Sequence, residues 1–148
     1  MDNLGVPELL IILMVVLIAF AIVLIPQIFF ALTLQKALNR CAPQNRTMSP
    51  GMVWLLLIPL FNLVWNFIVV SRMSASLTSE YRARQMPIDT DAGNAMGVAY
   101  SILFVCSVVP VLGILAGLAC LVCWIIYWVK IAGYSARLAA PATMQVSA

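Results

Sequence analysis

Leu9-Leu10-Ile11-Ile12-Leu13-Met14-Val15-Val16-Leu17-Ile18-Ala19-Phe20-Ala21-Ile22-Val23-Leu24-Ile25 is an unbroken apolar run, and past Pro26-Gln27 it resumes as far as Leu34. A helix needs ~20 apolar residues (range about 17 to 25) to cross a hydrocarbon core of roughly 30 Å, and this run supplies them. Three more runs follow, at about residues 52 to 70, 95 to 112 and 114 to 130. None alternates apolar with polar residues as barrel strands do, and only helices and closed barrels satisfy their backbone groups in lipid. The fold class is therefore all-α, a polytopic membrane protein with four hydrophobic helices. Composition agrees: of 148 residues 64% are hydrophobic and 9% charged, with a mean hydropathy of +1.07. A water-soluble core cannot hide that much apolar surface. Residues 1–138 read as one helical membrane domain, and 139–148 as a small, polar, disordered tail.

The first run is read as an uncleaved helix. Asp2 and Glu8 stand where a signal peptide carries positive charge, and no A-x-A site follows. Pro26 removes a helix hydrogen bond and should kink it. A polar loop, Asn39 to Arg46, leads through Pro50-Gly51 to segment two, whose apolar stretch carries Pro59, Asn62 and Asn66 near its middle. Beyond Val70 the pattern turns amphipathic, with Met73, Leu77 and Tyr81 every fourth residue, and predicts a helical extension on the membrane surface. Pro87 ends it, and Asp89-Thr90-Asp91 offers an N-cap for segment three. Segments three and four form a hairpin turning at Pro110 to Gly113. Segment four closes in an aromatic belt, Trp124, Tyr127 and Trp128, followed by Lys130 and Arg137.

Two topologies fit. If all four runs span with the N-terminus inside, five basic residues lie inside and three outside, a weak bias under the positive-inside rule. If instead segment two re-enters with its apex near Pro59 and the N-terminus is outside, there are three spans and all eight Lys and Arg residues fall in the cytoplasm. Trp54 and Trp65 then flank the apex as interfacial anchors.

The stretch Pro43-Gln44-Asn45-Arg46-Thr47-Met48-Ser49-Pro50-Gly51-Met52-Val53-Trp54-Leu55-Leu56-Leu57-Ile58-Pro59-Leu60-Phe61-Asn62-Leu63-Val64-Trp65 resembles a family of small uncharacterised bacterial multi-helix membrane proteins, a domain of unknown function. The resemblance covers about a quarter of the chain. It implies a multi-pass protein of the bacterial inner membrane and supplies no activity, cofactor or catalytic residue.

The residues that bear on function divide into packing groups and thiols. Asn62 and Asn66 lie one turn apart, so their amides share a face and either bond a neighbouring helix or line a polar path. Gly93, Gly97 and Ser101 recur every fourth residue, as do Gly113 and Gly117, faces on which helix backbones approach closely, within the hairpin or between chains. Cys106 and Cys120 each stand seven residues from Gly113, so a tight hairpin would bring them to similar depth. Cys120 and Cys123 have redox spacing but sit in an apolar helix, where small packing residues are the plainer reading. Asp89 to Gly93 opens like a calcium loop but lacks its sixth-position glycine and has Tyr100 at the twelfth.

The chain has no histidine, no P-loop, no nucleophile motif and no carboxylate in the core of any apolar run. The reading is a non-enzymatic protein without cofactor or metal. It packs as an accessory or structural subunit with itself or a larger membrane complex, touches anionic headgroups through its basic loops and binds no nucleic acid. The alternative is a small homo-oligomeric channel or transporter with a path along segment two.

Overall fold

The computed structural model describes residues 5–109 and 113–140. Those residues are helical, with no strand among them. Helix α1 spans Val6–Arg40, α2 Pro59–Ala83, α3 Asn94–Ser107 and α4 Gly113–Ala139. Two 3₁₀ stretches, Pro43–Asn45 and Pro50–Leu57, lie between α1 and α2. By length and composition α1, α2 and α4 can each cross a membrane, while α3 is a shorter apolar helix. The turn expected at Pro110 and most of the expected tail fall at 110–112 and 141–148, outside the described residues.

Segment two is two helices meeting at an angle. Pro50 opens the 3₁₀ stretch, which ends at Leu57, and Pro59 is the first residue of α2. Proline is well suited to a first helical position, because its missing N–H has no intrahelical partner there anyway. Backbone bonds carry the chain through the break: Ile58 N–H donates to Leu55 (3.2 Å) and Asn62 N–H to Ile58 (2.8 Å). From this apex the two arms run antiparallel. Trp65 Nε1 donates to the Met52 carbonyl at 3.0 Å, Thr47 N–H to Ser76 Oγ at 2.9 Å, and Ala42 N–H to Glu80 Oε2 at 2.7 Å. Nested pairs of this kind describe a hairpin. The chain therefore reaches the same end of the molecule before and after segment two, as in the re-entrant arrangement. Before its first charged residue, Arg72, helix α2 runs from Pro59 through Val70 for only about 18 Å at ~1.5 Å per residue, so a crossing by α2 has to take in its charged half.

Beyond Val70 the structure corrects the surface-helix expectation. The amphipathic stretch continues α2, and its Met73, Leu77 and Tyr81 are fully buried in the protein core. The core cluster that holds them also contains Leu34 and Leu38 of α1 and Ile131 and Leu138 of α4. Tyr81 donates to the Tyr134 carbonyl at 2.8 Å and meets its ring edge-on. Helix α2 stops before Pro87, in a Schellman turn in which Met86 N–H reaches the Tyr81 carbonyl and Gln85 N–H that of Arg82, with Gln85 at φ 55.

Helix α1 runs parallel to α4: Trp128 Nε1 donates to Thr33 Oγ1 at 2.9 Å and, two turns on, Arg40 to Ser135. Helix α3 returns antiparallel along α4 and meets it most extensively of all the helices. The N-cap of α3 is Gly93 rather than a residue of Asp89-Thr90-Asp91; Asp91, two residues ahead of it, accepts from the N–H groups of Gly93 and Ala95. The C-termini of α1, α2 and α4 share one end with the N-terminus of α3, and all eight basic residues lie at or toward it. At the other end Gly5 to Val23 of α1 is exposed all round.

Candidate functional site

Two constellations of polar side chains stand out. The first ties the basic end together. Glu80, 2% exposed, accepts from Ala42 N–H, from Asn45 Nδ2 at 2.8 Å and from Arg84 Nε at 2.7 Å. Arg84 then donates to the carbonyls of Leu138 (3.0 Å) and Arg40 (3.1 Å). Those carbonyls end α4 and α1, where helix dipoles leave negative partial charge, so one guanidinium caps two helices. Arg40 donates to the Ser135 carbonyl at 2.6 Å and its hydroxyl at 2.9 Å. Arg46 reaches the Cys41 and Asn39 carbonyls, and Arg72 that of Thr47. Four arginines expected to face lipid headgroups thus bind the protein's own backbone. Lys36 and Arg82 are exposed on the helix surfaces, as are Arg72, Arg84 and Arg137.

Beside this knot the Cys41 thiol is 1% exposed, and burial, with the negative charge of Glu80 second, pushes it up to about 11. In the loop before α3, Asp89 accepts from Tyr134 Oη at 2.7 Å and faces Lys130 Nζ at 3.4 Å. The Tyr134 hydroxyl first, then Lys130, holds its carboxyl below the usual range. Asp91 is likewise held low by the backbone N–H groups of Ala95 and Gly93.

The second constellation is a cavity of about 460 Å³ among all four helices. Its walls are Ile22, Val23, Pro26 and Gln27 of α1, Asn62 and Asn66 of α2, Tyr100, Phe104 and Ser107 of α3, and Gly117, Cys120, Leu121 and Trp124 of α4. Asn66 is 2% exposed and accepts from the Tyr100 hydroxyl, so one amide is spent joining α2 to α3. Asn62 Oδ1 is buried and accepts no hydrogen bond. The two asparagines expected on one face thus line the cavity together.

The small-residue repeats separate. Gly97 is the close-approach point: a Cβ there would lie 2.5 Å from Val70 Cγ1 and 2.8 Å from Tyr127 Cε2. Ser101, fully buried, bonds back to the Gly97 carbonyl at 2.8 Å. Gly93 takes the left-handed φ of 83 that precedes α3. Gly113 opens α4 against the Ser107 carbonyl, whereas nothing lies within 4 Å of a Cβ at Gly117. The glycines of α3 are thus used inside the chain, and Gly117 is open.

All four cysteines are free thiols. Cys120 Sγ approaches the Tyr100 carbonyl at 3.6 Å, and Cys106 lies six residues further along α3, about 9 Å at ~1.5 Å per residue. The two stand at different levels of the hairpin. Among the described residues no cluster of His, Cys, Asp and Glu has the composition of a metal site.

Gln27, Tyr100 and Trp124 belong to the cavity and Glu80 and Arg84 to the knot, and sequence reading assigned none of them there. Gln27 and Tyr100 carried a signal, as polar groups within apolar runs. Glu80 and Arg84 carried only i,i+4 spacing, which marks a surface pair far more often than a buried hub.

Comparison with protein-family models, with curated proteins and with solved structures gives no match.

Proposed function

We propose that this chain is a non-enzymatic multi-pass protein of a bacterial inner membrane, acting as an accessory or structural subunit that packs with itself or within a larger membrane complex. One observation carries the reading. Helix α1 extends from the bundle with every residue from Gly5 to Val23 exposed and apolar or uncharged except Glu8, a bare membrane helix offered to whatever lies beside it. Such helices pair through close van der Waals packing rather than through expulsion of water. Glu80 and Arg84 support the same reading, since they tie the chain's own helix ends together instead of converging around a reacting atom.

Orientation follows from charge. The basic end faces the cytoplasm under the positive-inside rule and the start of α1 lies outside, with Lys36 and Arg82 free to meet anionic headgroups. The test is gentle extraction of the tagged protein from its native membrane and mass spectrometry of what co-purifies. A partner in near-equal amount, or a defined oligomer, supports the proposal; a monomer with no partner opposes it.

A second reading rests on the cavity. Asn62 and Asn66 beside the Pro59 break place amides among the four helices, as a small homo-oligomeric channel or transporter would along its path. Asn62→Leu should then abolish flux in liposomes, and absence of flux in the parent protein removes this reading.

A further inference from the structure

We propose that the cavity among the four helices binds a neutral amphiphile dissolved in the bilayer, one with an apolar body and a hydroxyl that donates to Asn62. Depth is the first argument. Trp128 bonds Thr33 and Trp54 bonds Gln35, and paired tryptophans of this kind mark the interfacial level. Gln27, at the cavity wall, lies six to eight residues further along α1, about 9 to 12 Å deeper. An occupant at that depth comes from the lipid phase.

Size and lining give its chemistry. A volume of about 460 Å³ falls within the ~300 to 1,000 Å³ typical of small-molecule sites. Phe104, Leu121 and Trp124 supply apolar wall, and the bare Gly117 leaves room beside them. Among the described residues no Lys, Arg, Asp or Glu lines the cavity, so neither an anionic nor a cationic head finds a counter-charge there, and a charge without one is costly to bury. Asn66 and Tyr100 satisfy each other. Asn62 Oδ1 is left as a buried acceptor without a donor, a condition folded proteins seldom tolerate without a functional reason. A plain acyl chain has no donor to give it, whereas a hydroxyl does.

Trp124 in the wall reports occupancy. The full-length protein in nanodiscs is titrated with a dibrominated long-chain alcohol and, in parallel, with the matching dibrominated alkane, while tryptophan fluorescence is followed. Saturable quenching by the alcohol is expected. Its amplitude should fall in Trp124→Phe, and it should vanish in Gly117→Leu, which fills the cavity at a position where a side chain meets nothing. In Asn62→Leu it should be roughly fivefold weaker, the worth of one hydrogen bond. Circular dichroism checks that Gly117→Leu keeps the helical fold, and the alcohol and alkane comparison on the parent protein needs no variant. Equal quenching by alkane and alcohol, or an Asn62→Leu affinity equal to the parent's, overturns the assignment of the donor. Quenching that rises linearly without saturation overturns the site.

Discussion

Replacing Gly97 by alanine should destabilise the protein, while the same replacement at Gly117, one helix away, should stabilise it. The Cβ at position 97 would sit 2.5 and 3.0 Å from the two methyls of Val70 and 2.8 Å from Tyr127 Cε2. Val70 is fully buried and Tyr127 1% exposed, so neither can swing aside into solvent or lipid. Overpacking of a tight core costs ~1 to 3 kcal/mol, and contacts this short on two neighbours place it near ~3. Against that, glycine to alanine in a helix gains ~1 kcal/mol. The net loss at Gly97 is then ~2 kcal/mol. At Gly117, where nothing lies within 4 Å of the Cβ, only the propensity gain of ~1 kcal/mol remains. Unfolding by increasing SDS mole fraction in mixed micelles, followed by circular dichroism, measures both. A gap of ~3 kcal/mol between the variants is expected; equal stabilities would refute the claim that α3 crosses α2 and α4 at Gly97. Val70→Ala added to Gly97→Ala should restore part of the loss, since residues in contact couple by ~0.5 to 3 kcal/mol.

Glu80→Gln keeps the shape of the side chain but removes the charge that gathers Ala42, Asn45 and Arg84; a loss of ~2 to 3 kcal/mol in the same unfolding assay is expected, and a loss under ~0.5 would count against the knot. Cys41, with its thiol pushed up to about 11, should hold about one thiolate in a thousand at pH 8, so maleimide should spare it in the folded protein and modify it once SDS unfolds the chain; rapid modification of the native protein would contradict its burial. Because the Asp89 carboxyl is held low, its contribution to stability is present above the ordinary carboxylate value near ~4 and is lost as pH falls through the lower folded value. Asp89→Asn should therefore flatten the acid limb of a stability and pH profile, and an unchanged limb would dismiss the contact with Tyr134 and Lys130.

What the sequence made legible was set by periodicity and length. The apolar runs announced helices in a membrane, and Pro59 between Trp54 and Trp65 offered an apex as one of two topologies. What stayed hidden depended on partners far along the chain. The spacing of Met73, Leu77 and Tyr81 revealed an apolar face but not what covers it, and Tyr134, fifty-three residues on, covers part of it rather than lipid. Gly97 and Gly117 stand in identical small-residue repeats, yet only one meets a neighbour, because the crossing point is fixed by how α2 is placed. The level of Cys106 against Cys120 likewise depends on the register of α3 on α4, which symmetry about Gly113 does not supply. Segment three is apolar to residue 112, but its helix ends at Ser107, whose hydroxyl bonds back to the Phe104 carbonyl, ahead of Pro110, as prolines impose.

A segment two that enters and leaves by one face keeps both of its ends on one side of the membrane. In a background with Cys41, Cys106, Cys120 and Cys123 replaced by alanine, single cysteines at Gln44 and Arg82, both exposed, would be treated with a membrane-impermeant maleimide in intact cells and in inverted vesicles. Both positions should label only in inverted vesicles. Labelling of Gln44 from one side and Arg82 from the other would mean that segment two crosses the membrane, and the hairpin at Ile58 and Pro59 would be wrong.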